Sequence, residues 1–188
     1  MNAKAESFAP IVGNHAHTLL LGTMPGQASL SEAEYYAHPR NAFWPIMMAI
    51  INKQPPAFET SLLIDYQTRC QILIDHGYAV WDVLASCVRP GSLDSNIVKS
   101  SELPNDIASL SLQHRELKLI VCNGRAAESL FKRHIIKTLN RPVQLASKPV
   151  HEAQTNAIRL TCLPSTSPAM ASLTLTDKHQ VWADGLLG

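Results

Sequence analysis

The ten residues from 35 to 44, YYAHPRNAFW, bring together aromatic rings, a histidine, an arginine and an asparagine around one proline. Aromatic rings beside polar groups are the usual means by which proteins hold a planar base by stacking. Tyr36 and Asn41 are the candidates for such contacts, and the amide oxygen of Asn41 can also orient a water molecule. Phe43 and Trp44 are more simply explained as core residues.

A second candidate is the segment at residues 22–26, here called the glycine loop, in which two glycines flank a threonine, a methionine and a proline. It lacks the lysine of a phosphate-binding P-loop and the spacing of a dinucleotide fingerprint, so neither cofactor is supported. Its glycines allow backbone N–H groups to approach a ligand closely, and the alternative is a tight turn. The loop consists of Gly22, Thr23, Met24, Pro25 and Gly26.

Polar residues also follow three further apolar runs. The carboxylate of Asp82 can accept a hydrogen bond from a ring N–H, or it can cap a helix or a loop. Asn123 presents an amide after another run. A third polar segment, here called the serine loop, covers residues 164–170; its hydroxyls suit phosphates, and the alternative is a proline-stiffened turn.

These segments follow predicted β-strands at residues 17–21, 78–84, 117–122 and 158–163. The hydrophobic periodicity predicts helices at residues 41–52, 60–76, 106–114 and 125–139, and Ser29 with Glu32 matches the capping box of a further short helix. The alternation predicts an α/β fold, a three-layer α/β/α sandwich with a central, mainly parallel four-stranded sheet. Such sheets bind ligands beyond the carboxyl ends of their strands, so the polar segments should meet there.

The composition predicts a single globular domain over residues 1–188. With 46% hydrophobic residues and a formal net charge of +1, the chain is neither disordered nor a strongly basic nucleic-acid binder. We expect no signal peptide and no membrane segment, because no apolar run approaches about 20 residues, and hence a cytoplasmic location. The four cysteines form no C-x-x-C pair, so we expect no metal site and no cofactor.

The glycine loop, followed by YAHPRNAFW at residues 36–44, resembles the first motif region of the uracil-DNA glycosylase superfamily. Its mismatch-specific branch has G-x-N-P-G followed by F-A-H-P-x-N-x-F-W. The runs WDVL at 81–84, GSLD at 91–94 and LPSTSPA at 163–169 resemble the hypoxanthine-DNA glycosylase branch. The resemblance extends over residues 19–171 and implies the α/β fold described above.

The resemblance also implies a role for each candidate residue. The glycine loop and Asp82 would bind a flipped base, on which Tyr36 would stack. Most of the superfamily has Asn or Asp at the position of Met24, where it positions the attacking water, and a methionine has no such acceptor. In the hypoxanthine branch the catalytic asparagine matches Asn41, with Asn123 as a second candidate, and which of the two matters more stays open.

The serine loop would then approach the DNA duplex, and Met170 would fill the gap that the flipped base leaves. Arg89, Lys99 and Lys178 are candidates for phosphate contacts, although basic surface residues are more often simply solvated. The DNA-binding residues implied in the serine loop are Pro164, Ser165, Thr166, Ser167, Pro168 and Met170.

The expected function is that of a DNA repair glycosylase that removes a deaminated base from double-stranded DNA, with hypoxanthine from deoxyinosine as the leading substrate. No lysine occupies a strand end, so a Schiff-base lyase activity is not supported, and a monomer is expected. The alternatives are a uracil or mismatched-thymine glycosylase, a non-catalytic module that binds damaged DNA, and a hydrolase of free nucleosides.

Overall fold

The computed structural model describes residues 4–145 and 156–187, and within them eight strands and seven α-helices. Two single 3₁₀ turns cover Asp94–Asn96 and Lys99–Ser101. The strands are β1 (Lys4–Glu6), β2 (Thr18–Gly22), β3 (Tyr78–Asp82), β4 (Leu84–Val88), β5 (Leu103–Pro104), β6 (Leu119–Asn123), β7 (Val143–Leu145) and β8 (Ile158–Leu163). The helices are α1 (Gln27–Glu32), α2 (Phe43–Asn52), α3 (Phe58–Leu62), α4 (Tyr66–Asp75), α5 (Ile107–Gln113), α6 (Arg125–His134) and α7 (Leu175–Leu187).

The main sheet is parallel throughout, with the strand order β3-β2-β6-β8-β7. The interior strand β2 is buried along its whole length, because Leu19 and Leu21 face one core while Leu20 faces the other. Helices α5 and α6 cover the first face, and α2, α4 and α7 cover the second. The predicted three-layer α/β/α sandwich is therefore confirmed.

The sheet has a fifth strand that the sequence analysis missed. Strand β7 adds only Val143–Leu145 to the edge of the sheet, beside β8. Three residues are too few for a period of two to stand out from a loop, so the pattern could not reveal it.

The single strand predicted at residues 78–84 is wrong, because it is two strands in different sheets. The N–H groups of Val83 and Leu84 donate to the carbonyls of Gly22 and Thr23, which turns the chain out of the main sheet. Strand β4 then pairs antiparallel with β1 and β5 in a small second sheet.

Three helix boundaries also differ from the predictions. The helix predicted at residues 60–76 is interrupted, because the side chain of Asp65 accepts a hydrogen bond from the N–H of Thr68 and starts α4 afresh. Ser29 is not a cap: α1 begins at Gln27, and the buried Ser29 hydroxyl accepts from the N–H of Ala37. Helix α6 ends at His134, five residues earlier than predicted.

Helix α7 was not predicted, although the sequence carries a signal for it. Thr174 and Asp177 form a reciprocal capping box, in which each side chain accepts from the other residue's N–H. Further along the helix, Trp182 is fully buried and packs edge-on against Phe43. No helix in the described part of the chain is both long and apolar enough to cross a bilayer.

Candidate active site

A cavity of about 380 Å³ lies beyond the carboxyl ends of β2, β3, β6 and β8. Its volume is within the range of about 300–1,000 Å³ that is typical of small-molecule sites. The predicted site residues that line it are the five residues of the glycine loop, Tyr36, Asn41, Asp82, Asn123, Ser165, Thr166, Ser167 and Pro168. Pro164 and Met170 lie outside the lining.

The guanidinium of Arg89 is bonded to the backbone of the glycine loop. Its side chain is 1% exposed, and it donates to the carbonyls of Met24 and Pro25 and, at 3.3 Å, to the carboxylate of Asp94. Ser92 accepts a hydrogen bond of 3.0 Å from the N–H of Gln27, at the start of α1. These contacts fix the backbone of the loop beside the cavity.

Burial rules out two of the three candidate phosphate contacts. The guanidinium of Arg89 is used within the protein, and the ammonium group of Lys178 donates to the carbonyl of Ser167 at 3.3 Å. Burial also lowers the pKa of Lys178. Lys99 is exposed, so it stays a candidate.

Gly22, Asp82 and Tyr36 meet at the floor of the cavity. Gly22 and Asp82 are partners in the β2–β3 register. A Cβ atom on Gly22 would overlap the Oδ1 atom of Asp82 and would lie 3.1 Å from the hydroxyl oxygen of Tyr36. Glycine is therefore required here by the close approach of two polar side chains.

Burial raises the pKa of Asp82 to about 7. The hydroxyl of Ser7 donates to its Oδ2 atom at 2.8 Å and opposes this rise, the negative charge of Asp94 adds to it, and Arg89 opposes it. The side chain of Asp82 lies at the cavity floor and accepts its hydrogen bond from Ser7. This arrangement disfavours the alternative in which Asp82 caps a helix or a loop. Near neutral pH, a substantial fraction of this carboxyl group carries a proton.

Tyr36 has one ring face covered and a buried hydroxyl. Its ring stacks on Phe43 with 3.9 Å between centroids, so only the opposite face can take a base. Among the described residues its hydroxyl has no hydrogen-bond partner, and burial raises the pKa of Tyr36 above its ordinary value. The backbone of Tyr36 has a φ of 57°, a strained conformation that costs about 1–3 kcal/mol in general.

Asn41 is held by backbone contacts at the start of α2. Its own N–H donates to the carbonyl of His38 at 2.8 Å, and its Oδ1 atom accepts from the N–H of Phe43 at 3.0 Å. An amide oxygen has two lone pairs, so this one can accept from a water molecule as well. His38 contributes by shaping the turn, since its Nδ1 atom accepts from the N–H of Arg40.

Asn123 is oriented by Thr166 of the serine loop. The Nδ2 group of Asn123 donates to the hydroxyl oxygen of Thr166, its Oδ1 atom accepts from the Thr166 N–H, and both distances are 2.9 Å. The Thr166 side chain is 1% exposed, so its hydroxyl is used to orient Asn123 within the protein. The indole of Trp182 in α7 donates to the carbonyl of Pro164 and anchors the start of this loop.

Two serine hydroxyls of the serine loop accept hydrogen bonds from the loop's own backbone. The N–H of Ser167 donates to Ser165 Oγ, and the N–H of Ala169 donates to Ser167 Oγ. The N–H of Met170 donates to the carbonyl of Ser167, and Met170 is not part of the cavity lining.

Several lining residues were not predicted as catalytic or base-binding residues, and Arg89 was named only as a candidate phosphate contact. Arg89 carried no local signal of its clamping role, because an arginine after a short strand looks like any surface cation. The residues after Gly91 entered the predictions only as part of the resemblance. The missed lining residues are Gln27, Ala28, Ser29, Tyr35, His38, Arg89, Ser92, Leu93, Asp94 and Ala169.

We expect Arg89→Met to lower the free energy of unfolding by about 2–5 kcal/mol, since two carbonyl acceptors and Asp94 lose a buried donor. Urea denaturation of the variant and the parent measures this loss. The exposed Arg40→Met is the matched control, with an expected change below about 0.5 kcal/mol. Equal stability of Arg89→Met and the parent would show that the clamp contributes nothing.

The fold and cavity define an α/β protein with a ligand site at the carboxyl edge of a parallel sheet. The chain belongs to the uracil DNA glycosylase superfamily, whose family model matches residues 10–184. It is therefore a DNA glycosylase by class, with DNA as its substrate, and the family resemblance is confirmed.

Two curated relatives carry a more specific name. The hypoxanthine DNA glycosylase of Methanosarcina barkeri is 32% identical over 122 residues, which are 65% of this chain and 72% of that protein. The hypoxanthine DNA glycosylase of Methanosarcina acetivorans is 32% identical over 124 residues, with the same coverage. A solution NMR structure of a Methanosarcina acetivorans protein provisionally assigned as a uracil DNA glycosylase shares the fold, with a TM-score of 0.70 and 23% identity over 97% of this chain and 96% of that one.

Proposed function

We propose that the protein is a monofunctional DNA-deoxyinosine glycosylase, which hydrolyses the N-glycosidic bond of a flipped deoxyinosine in double-stranded DNA and releases hypoxanthine. The observation that carries the proposal is the cavity, which is lined by the glycine loop together with Asn41, Asn123, Tyr36 and Asp82. The names of the two relatives that are 32% identical support hypoxanthine as the base.

In this proposal, the base leaves the stack and lies on the free face of Tyr36, since a base within the duplex is out of reach. The backbone N–H groups of the glycine loop and the amide of Asn123 hydrogen-bond the departing base. Asn41 orients the attacking water. The developing sugar is strongly cationic, so a water held by an amide needs little deprotonation, and most of the catalysis is electrostatic.

The side chain of Met24 supports the assignment of the water to Asn41. It is 6% exposed and belongs to the core cluster on the face of the sheet that α5 and α6 cover. The position that usually orients the water in this superfamily is thus filled by a buried thioether without a useful acceptor. Uracil or mismatched thymine is the second candidate substrate, favoured by the superfamily's name and disfavoured by Met24.

The serine loop would contact the duplex through Ser165, Ser167 and Pro168 at the cavity mouth. Met170, outside the cavity, would fill the gap left by the flipped base, as apolar side chains do in other DNA complexes. Thr166 and Pro164 would act indirectly, by orienting Asn123 and by anchoring the loop on Trp182.

We further infer that residues 1–188 act as one domain and as a monomer, because described residues from position 22 to position 169 converge on one cavity. The cleavage rate per chain should then be independent of protein concentration. No metal ion, cofactor or membrane enters the proposal, and the cytoplasmic location stays a prediction.

The test is single-turnover cleavage of end-labelled duplexes that contain deoxyinosine, deoxyuridine or deoxyxanthosine at one position, with EDTA present and alkali added afterwards. We expect cleavage at deoxyinosine and little at deoxyuridine, and none of a matched deoxyadenosine duplex. Cleavage at deoxyuridine alone would replace hypoxanthine by uracil. Duplex binding without any cleavage would identify a non-catalytic module, and release of base only from free nucleosides would identify a nucleoside hydrolase.

A further inference from the structure

Asp82 and Asp94 are the two carboxyl groups among the described residues of the cavity lining, and they have different partners. Asp94 is paired with the guanidinium of Arg89, whereas Asp82 forms no salt bridge within residues 4–145 and 156–187. The hydrogen bond that Asp82 receives comes from the neutral hydroxyl of Ser7. Asp82 therefore lies at the cavity floor without a cation in contact to compensate its charge.

Burial favours the neutral form of Asp82, and the groups around it act in both directions. Ser7 reaches it from the segment after β1, and the phenol groups of Tyr35 and Tyr36 face it from the segment before α2. Asp94 adds a second negative charge from the segment after β4, and the positive charge of Arg89 partly balances it. A buried carboxyl group in such surroundings keeps its proton far more readily than an exposed one.

We propose that Asp82 is the general acid that protonates the departing purine, an inference that rests on the proposed release of hypoxanthine. A purine leaves most easily when one of its basic ring nitrogens, N3 or N7, accepts a proton as the C1′–N9 bond breaks. The electron pair of that bond moves into the purine, and the acidic proton of Asp82 moves to N3 or N7. Hypoxanthine then departs as a neutral molecule.

The second half of the step restores the acid. The oxygen of the water oriented by Asn41 bonds to C1′, and the proton that this water loses returns the Asp82 carboxylate to its acid form, directly or through solvent. The sum is deoxyinosine and water giving hypoxanthine and an abasic sugar, so no oxidant, reductant or co-reactant is required. An amide cannot supply this proton at neutral pH, and the Nδ1 atom of His38 is already bonded to the N–H of Arg40.

The first test is the pH dependence of single-turnover hypoxanthine release from about pH 5 to 9 by the parent and by Asp82→Asn. The parent rate should be highest where Asp82 is protonated and should fall as the pH rises through about 7. Asp82→Asn keeps the shape of the side chain but has no proton to give, so we expect a rate about 10²-fold lower near pH 6, without that fall. The exposed Asp75→Asn, at the end of α4, is the matched control and should behave as the parent does.

If Asp82→Asn fails to fold, a second variant still tests the proposal because it keeps the carboxyl group of Asp82. The hydroxyl of Ser7 lowers the pKa of Asp82, so Ser7→Ala should move the fall in rate to higher pH while the plateau at low pH stays within about threefold of the parent. A profile of Ser7→Ala that coincides with that of the parent would overturn the proposal.

Substrate analogues identify the nitrogen that accepts the proton. Deoxyinosine analogues with carbon at position 3 or position 7 lack one acceptor each, and one of them should be cleaved slowly and equally by the parent and by Asp82→Asn. An undiminished effect of Asp82→Asn on both analogues would overturn the proposal. So would parental release of hypoxanthine with an unchanged pH profile in Asp82→Asn, whereas no release by the parent would reject the proposed function itself.

Discussion

Asn41→Ala is expected to lower the single-turnover rate of hypoxanthine release by about 10²–10³-fold, while duplex affinity changes by less than about tenfold. The substitution removes the oxygen that orients the water, and the buried Met24 offers no replacement at the usual position. Duplex contacts come mainly from the serine loop in our proposal, so binding should persist. Rates and affinities measured on the same labelled deoxyinosine duplex test both halves of this prediction.

The side chain of Asn41 also accepts a hydrogen bond from the N–H of Phe43, so a loss of activity could have a purely structural origin. Asn41→Asp separates the two roles, since a carboxylate keeps both the contact with Phe43 and an acceptor for water. We expect Asn41→Asp to retain activity within about tenfold of the parent and to match its stability. If Asn41→Asp were as inactive as Asn41→Ala, the amide N–H rather than the oxygen would carry the effect, and the proposed role of Asn41 would be wrong.

Gly22→Ala is expected to lower the rate of release by about 10²-fold or more. The new methyl group would overlap Asp82 Oδ1 and press on the hydroxyl of Tyr36, two groups that line the cavity floor. Either the carboxyl group or the stacking ring must then leave its position. Single-turnover rates on the deoxyinosine duplex, with urea denaturation of the same variant, measure the two consequences.

Gly26→Ala offers a comparison within the same loop. A Cβ atom at Gly26 would meet only the hydroxyl of Ser92, at an ordinary contact distance of 3.9 Å, and the φ of −71° suits any residue. We expect this variant to lose at most about tenfold in rate. Equal losses in the two variants would indicate a general sensitivity of the loop and would contradict the specific collision at Gly22.

Local sequence patterns were sufficient for the elements that lie in the centre of the fold. Strands β2 and β6 are mostly apolar runs that end in a glycine and an asparagine, so both the strand type and the position of the site could be predicted. The patterns failed where a contact distant in sequence decides the structure. The hydrogen bonds from Val83 and Leu84 to the glycine loop divide the predicted strand, and three residues at β7 pair with β8 only because that edge is open.

The sequence by itself determined the family, the layered α/β architecture and most of the cavity lining, because each rests on short segments whose residue types are informative on their own. The tertiary structure alone decided how those residues act. It placed Asp82 and the hydroxyl of Tyr36 against Gly22, buried Arg89 against the glycine loop, and turned Thr166 inward to orient Asn123. These roles depend on burial and on partners from distant parts of the chain, and neither is encoded in the neighbouring residues.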